Sequence, residues 1–352
     1  MSTTYDLEGL RAVVAEDYTP PERLTVSAFK KLSTNKREQW LAAREAHHGR
    51  SHVVLTDALG QAFTDISILS LLNRYRPNDR EVYIISGSAG LGKTTIARKI
   101  GVNFEHDYGV RFPDYQRNDE CPVVMITTPA KCNPTALDKA LLGFMHYSYP
   151  EGRTHERLKS VVVKALRDKR VQLVIIDDLH RLRSGTQISS LETADLLKEY
   201  FDLSTCTFVF LGIDLTATGF FEGNAGQQIL NRGALLTIDR CSNVAGAKHN
   251  EWRGIVAGLE DNLRLLNHRR GTLTTDAMLE SLYTLTHGSL GAVNKLLQTA
   301  AMYASTVADP ATEDLRDLGI VGKESIDKAM LKKIKTVAAE QFFTVAVEAS
   351  ET

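Results

Sequence analysis

Eight consecutive residues, Gly87-Ser88-Ala89-Gly90-Leu91-Gly92-Lys93-Thr94, follow the apolar run Val82-Tyr83-Ile84-Ile85 and precede the helix-compatible stretch Thr95-Ile96-Ala97-Arg98-Lys99-Ile100. The glycines let the backbone curl until successive N–H groups point at one anion, and a helix opening at the lysine adds the positive end of its dipole. Strand, glycine-rich turn and helix in that order make a phosphate-binding P-loop. Lys93 is expected to reach the β- and γ-phosphates of a nucleoside triphosphate, and the Thr94 hydroxyl to ligate Mg²⁺.

A second element points the same way. Val171-Gln172-Leu173-Val174-Ile175-Ile176 is an apolar run of buried-strand length, and it ends in Asp177-Asp178. In a parallel sheet the carboxyl end of such a strand lies where ligands of open α/β sheets bind. Asp177 is then expected to hold Mg²⁺ through water, and Asp178 to orient or deprotonate the attacking water.

The chain has 352 residues, 43% of them hydrophobic and 24% charged, which is the balance of a soluble globular protein with room for two domains. No run approaches the ~20 apolar residues of a membrane span. Met1-Ser2-Thr3-Thr4-Tyr5-Asp6 has neither a basic nor an apolar signal region, so a cytoplasmic location and no membrane partner are expected. Cys121, Cys132, Cys206 and Cys241 have no paired or metal-like spacing and read as reduced thiols. A net charge of −1 excludes a globally basic nucleic-acid binder and leaves room only for a local basic surface.

Along the chain, residues 1–24 are mixed and proline-bearing and read as a loose arm. Helical composition follows over Thr25–His48, then a short β-like segment His52–Thr56, then a helix over Gln61–Arg74. This N-terminal part is expected to pack on the nucleotide domain near the base. Further strands are expected at Pro122–Thr128, Cys206–Gly212 and Ala234–Ile238, with helices over Thr135–Tyr147, Thr154–Asp168 and Ile188–Leu203. Alternation of this kind calls for a parallel sheet with helices on both faces. Beyond about Ala245 only helices are expected, over Glu251–Asn267, Thr274–Thr286, Leu290–Ser305 and Lys323–Ala339.

A P-loop strand, an acidic strand, a strand ending in a polar turn and a helical tail resemble the AAA+ ATPases. More narrowly, the chain is similar to the TniB and TnsC transposition ATPases, which are akin to MuB-type regulators. The residues carrying that likeness are the P-loop, Met125-Ile126-Thr127-Thr128-Pro129-Ala130, Ile175 through Leu182, Phe210-Leu211-Gly212-Ile213-Asp214, Gln228 through Arg232, and Thr286-His287-Gly288-Ser289-Leu290-Gly291. They span about residues 50 to 305. The implied organisation is an N-terminal arm and helix at 1–50, a P-loop NTPase (AAA+) α/β domain at 51–243, a small all-helical lid at 244–339 and a flexible tail at 340–352.

The resemblance implies an ATP-dependent protein that assembles as a ring or helical filament on double-stranded DNA with little sequence preference. It would recruit or activate a transposase alongside a target-site selector, with slow ATP hydrolysis as the release switch. ATP and Mg²⁺ are the implied cofactors. The nucleotide site would comprise Gly87, Ser88, Ala89, Gly90, Leu91, Gly92, Lys93, Thr94, Thr95, Asp177 and Asp214, with Thr94 and Asp177 at the metal and Lys93, Asp178 and Arg232 as the catalytic set. Arg232 fits the family's arginine finger, reaching the γ-phosphate of a neighbouring subunit; a surface arginine at a helix end is the plainer alternative. Asp178 stands where relatives usually have Glu, so its carboxylate sits about one methylene further from the water and turnover should be slow. Asp214 replaces a neutral polar sensor, and Gly288-Ser289-Leu290-Gly291 lacks the lid arginine, for which Lys295 is one candidate.

Phosphate contacts supply most non-specific DNA affinity, so basic loops are the candidates. Lys131 comes first, then Arg153, Lys159, Arg181 and Arg183, each of which also reads as an ordinary solvated charge. The basic stretch Lys328–Lys335 suits DNA, a transposase, or simple docking on the lid. His47, His48 and His52 lack accompanying ligands and read as structural. Two other functions fit the motifs: a signalling switch that gates a protein partner without DNA, and, less well, a small-molecule kinase.

Overall fold

The computed structural model describes residues 4–50, 52–76, 80–130, 132–149, 155–184, 187–217, 221, 223–242, 247–306 and 325–336, with the side chains of 182–193, 223 and 247–248 outside that description. The chain forms two compact units. One comprises Met1–Asp17 and Asp57–Asp239, the other Tyr18–Thr56 and Arg240–Thr352.

The first unit is built on five strands, β1 (Val82–Gly87), β2 (Val123–Thr127), β3 (Leu173–Asp177), β4 (Thr207–Gly212) and β5 (Gly233–Ile238). All pairs are parallel and the order is β2-β3-β4-β1-β5. Parallel strands covered on both faces need continuous apolar runs, and every residue of β1, β3 and β4 is buried. This is the expected α/β architecture, with β4 inserted between the P-loop strand and the acidic strand.

Helices α1 (Leu7–Val14), α4 (Asp57–Tyr75), α5 (Lys93–Arg111), α6 (Pro134–Phe144), α7 (His155–Asp168), α8 (Gln187–Leu203) and α9 (Gly223–Asn231) complete this unit. Helix α5 packs across β2, β3 and β4, while α4 covers β1, β4 and β5. Helix α6 begins where Asn133 accepts the Ala136 N–H at 2.9 Å and Pro134 supplies a preset φ. Helix α7 buries Leu158, Val162, Ala165 and Leu166, the stripe its sequence period required.

Residues 4–17 depart from the expected loose arm. Asp6 caps α1 by accepting the Gly9 N–H at 2.6 Å, and Leu7 and Leu10 enter the main core. Eight helical residues with two anchors carry too little pattern to stand out in a proline-bearing stretch.

The second unit contains α2 (Val26–Lys30), α3 (Thr34–His48), α10 (Ala247–Glu260), α11 (Asp276–Thr286), α12 (Leu290–Thr306) and a helix at residues 328–336. The expected helix over Thr25–His48 is two helices, because the Arg37 guanidinium takes the Phe29 and Lys30 carbonyls at the end of α2. The β-like segment at 52–56 pairs with no strand; Asn294 and Gln298 of α12 donate to the carbonyls of His52 and Arg50. The helix expected over Glu251–Asn267 ends at Glu260, whose carboxylate accepts the N–H groups of Gly271 and Leu273, both at 2.9 Å, and so folds the next residues into a turn. Trp252, Leu279, Leu282 and Val293 centre this unit's core, joined by Ile326, Leu331 and Ile334. The stretch Lys328–Lys335 thus docks one face on its own unit and exposes its lysines.

The expected partition at residues 50/51 and 243/244 differs from the grouping of the two units: 18–56 joins the C-terminal helices, while 4–17 and α4 belong to the sheet unit. The expected tail at 340–352 and the ends of the helix expected over Lys323–Ala339 lie outside the described residues. All four cysteines are free and buried. Among the described residues, no helix is long and apolar enough to cross a membrane.

Candidate functional site

β1 delivers the P-loop at its carboxyl end. Gly87 lies so close to β5 that a Cβ there would sit 2.3 Å from the Ile238 carbonyl oxygen, and Gly90 and Gly92 take left-handed φ values of 78° and 86°. Helix α5 then starts at Lys93 with Gly92 at its N-cap and no side chain capping it, so the first-turn N–H groups are left for an anion. Thr94 and Thr95 follow within that first turn and are half-buried.

Lys93 is 8% exposed and its ammonium folds onto the loop, donating to the carbonyls of Gly87 at 2.7 Å and Ser88 at 2.6 Å. Burial lowers its pKa, while the carboxylates of Asp177, Asp214 and Asp178 pull it back up. A buried cation in the field of three carboxylates, beside a helix start with no side-chain cap, is an arrangement able to take up an anion.

Asp177 closes β3, 2% exposed, and its backbone carbonyl accepts both the N–H and the hydroxyl of Thr128 at 2.9 Å. Its Oδ1 accepts the Asp178 N–H at 2.8 Å and its Oδ2 accepts the Tyr5 hydroxyl at 2.6 Å. Asp178 has φ 56° and pairs through Oδ2 with Arg181 at 3.0 Å. Asp214, with φ 43°, follows β4 in a turn pinned to the P-loop strand, since the Leu215 N–H donates to Ser86 Oγ at 2.9 Å. His180 Nδ1 accepts the Ile213 N–H at 3.3 Å, tying the turn after β3 to the turn after β4.

Neither Tyr5 nor Ser86 was anticipated. Tyr5 lies 172 residues from its partner, and no spacing rule connects them.

Arg232 stands at the other end of the sheet. Its carbonyl accepts the Val82 N–H at 3.0 Å, at the start of β1, whereas the P-loop leaves β1 at Gly87, about 17 Å further along at the strand rise. Its guanidinium pairs with Asp202 at 3.0 Å and lies 5.8 Å from the Phe201 ring centre.

Of the basic candidates, Lys159 is ion-paired with Glu199 and Arg181 with Asp178. Lys131, Arg153 and the Arg183 side chain lie outside the described residues. Asp138 of α6 accepts the Tyr200 hydroxyl and lies 2.9 Å from His155 Nδ1 of α7. In the second unit His47 is stacked on Tyr18 with its Nε2 at 2.5 Å from the Asn262 carbonyl, and His48 Nε2 accepts the Arg264 N–H at 3.0 Å.

A parallel sheet ordered β2-β3-β4-β1-β5, with a P-loop after β1 and paired acids after β3, defines the P-loop ATPases of the AAA+ class. Solved structures of that fold are similar to the chain: the Aeropyrum pernix ORC1 protein in complex with DNA (14% identity, 84% of this chain and 69% of that chain, TM-score 0.57). The Aeropyrum pernix ORC2 protein in its ADPNP–ADP complexes is also similar (16% identity, 93% and 71%, TM-score 0.51). The sequence profile of the bacterial TniB protein matches residues 59–242, more than half of the chain, and the chain belongs to the TniB family. No curated protein sequence matches it significantly.

Proposed function

We propose that this chain binds ATP with Mg²⁺, assembles through ATP on double-stranded DNA with little sequence preference, and in that state recruits or activates a transposase, hydrolysing ATP slowly to release it. The observation that carries the reading is Lys93, a buried ammonium held on the P-loop carbonyls and faced by Asp177, Asp178 and Asp214.

The donor set fits Mg²⁺·ATP: Thr94 offers a hydroxyl at the open start of α5, and Asp177 offers a hard oxygen anion at the end of β3. Bound Mg²⁺ would neutralise charge on the β- and γ-phosphate oxygens. Lys93 exchanges its carbonyl partners for phosphate oxygens. Asp178 orients or deprotonates the attacking water once Arg181 yields its carboxylate.

Arg232, some 17 Å of strand from its own P-loop, acts only on a neighbour's nucleotide. Self-association along the Arg232 edge is supported by β5, an edge strand of the sheet on which Leu235 is 43% exposed, and by Leu203, 56% exposed next to Asp202. Transfer of its guanidinium from Asp202 to a γ-phosphate couples assembly to the bound nucleotide. DNA contact falls to Lys131, Arg153, Lys159, Arg181 and Arg183, and the family membership supports the link to transposition.

Electron micrographs and filter binding with duplexes of unrelated sequence test this. With a non-hydrolysable ATP analogue, rings or filaments form on every duplex, and log affinity falls with log salt at a slope of roughly −0.9 per phosphate contacted. A monomer indifferent to DNA in the presence of the analogue contradicts the reading. A protein partner captured after nuclease treatment would then favour the signalling switch.

A further inference from the structure

The nucleotide site has a member from outside the P-loop domain's contiguous sequence. Tyr5 donates its hydroxyl to Asp177 Oδ2 at 2.6 Å, a short bond of the charge-assisted kind. The phenol ring is clasped against the P-loop helix, 5.5 Å from the guanidinium of Arg98, one turn beyond Thr94.

The arm that presents it is fixed independently. Next to Tyr5, Asp6 caps α1, and Leu7 and Leu10 are buried in the main core. Arg11 donates to the Glu120 carbonyl at 2.7 Å and faces the fully buried Glu105 at 3.7 Å. A hydroxyl on a backbone held so firmly does not wander.

A carboxylate offers about four lone-pair sites, of which the Asp178 N–H and the Tyr5 hydroxyl use one each. The remainder stay available to water ligands of a metal. We propose that Tyr5 is a positioning residue of the nucleotide site: by fixing the Asp177 carboxylate it links docking of the N-terminal arm to Mg²⁺-dependent ATP binding. This rests on the ATP-binding reading above. The linkage is reciprocal, so Mg²⁺·ATP tightens the arm as much as the arm favours Mg²⁺·ATP.

Tyr5→Phe keeps the ring and removes only the hydroxyl. Binding of a fluorescent ATP analogue is titrated with Mg²⁺ and repeated in EDTA, and amide hydrogen exchange of Leu7–Val14 is followed in parallel. The variant needs about three- to tenfold more Mg²⁺ for half-maximal binding, with affinity in EDTA unchanged. In the wild type, exchange in α1 slows with Mg²⁺·ATP but not with ATP in EDTA, and Tyr5→Phe shrinks that difference. An unchanged Mg²⁺ midpoint overturns the inference. So does a lower midpoint, which would make the hydroxyl a competitor of the metal's waters, or an equal loss of affinity in EDTA, which would make it merely structural. A wild type that binds no ATP under any condition defeats instead the ATP-binding reading.

Discussion

Asp178 is the residue on which turnover depends in the proposed reading. It sits at a left-handed φ directly after the strand, and Arg181 holds its carboxylate at 3.0 Å. Asp178→Asn is expected to bind ATP as the wild type does and to hydrolyse it at least about 100-fold more slowly, the usual worth of a positioned base. Asp178→Glu, reaching one methylene further, is expected to exceed wild-type turnover. Single-turnover assays read both, and an unaffected Asp178→Asn would remove this residue from the chemistry. Lys93, Asp177 and Asp178 were legible because their chemistry demands contiguous motifs, a glycine turn and an apolar run ending in acid. Tyr5 was not, since a single long-range hydrogen bond leaves no period or spacing in the sequence.

The elements of the sheet unit could be read from their periods, because buried parallel strands are continuous apolar runs and α7 shows its stripe. The elements of the helical unit were harder. A β-like composition at 52–56 forms no strand, its His52 carbonyl being taken by Asn294 of α12, and α10 stops where Glu260 turns the chain. Burial of the end of α3 has a consequence for pH. His48 is driven down to about 3 by burial, then by Arg44 and its neighbouring histidines, and His52 to about 4 by burial, then by His47. The unfolded chain takes up both protons near pH 6.5, the folded chain only near 3 and 4, so the unfolded state binds more protons throughout that window. Stability of this unit is full above about pH 6.5 and falls as pH drops through that window. Both tryptophans, Trp40 and Trp252, belong to this unit, so urea unfolding followed by their fluorescence at pH 7, 6 and 5 measures it. A midpoint that does not move, or that is equally steep in His48→Gln, contradicts the assignment.

At the scale of the molecule, the two units trade chain segments in a way linear composition cannot disclose. Residues 18–56 carry helical signals that would suit either unit, and long-range contacts decide which one they join: Phe29 and Trp40 pack with Leu266, and His47 and His48 meet Asn262 and Arg264. In the sheet unit, the end of the sheet bearing Arg232 lies opposite the end bearing Lys93. In a head-to-tail assembly each nucleotide would be held by one chain's Lys93 and Asp177 and completed by the next chain's Arg232. ATP retention and turnover of Lys93→Ala and Arg232→Ala chains, assayed separately and mixed in equal amounts, test that arrangement most directly. Lys93→Ala is expected to retain no ATP and Arg232→Ala to retain it without turnover, while the mixture recovers roughly a quarter of wild-type activity, since half of the P-loops are intact and half of those face an intact arginine. A mixture as inactive as its parts, or a Lys93→Ala chain that holds ATP like the wild type, would contradict it.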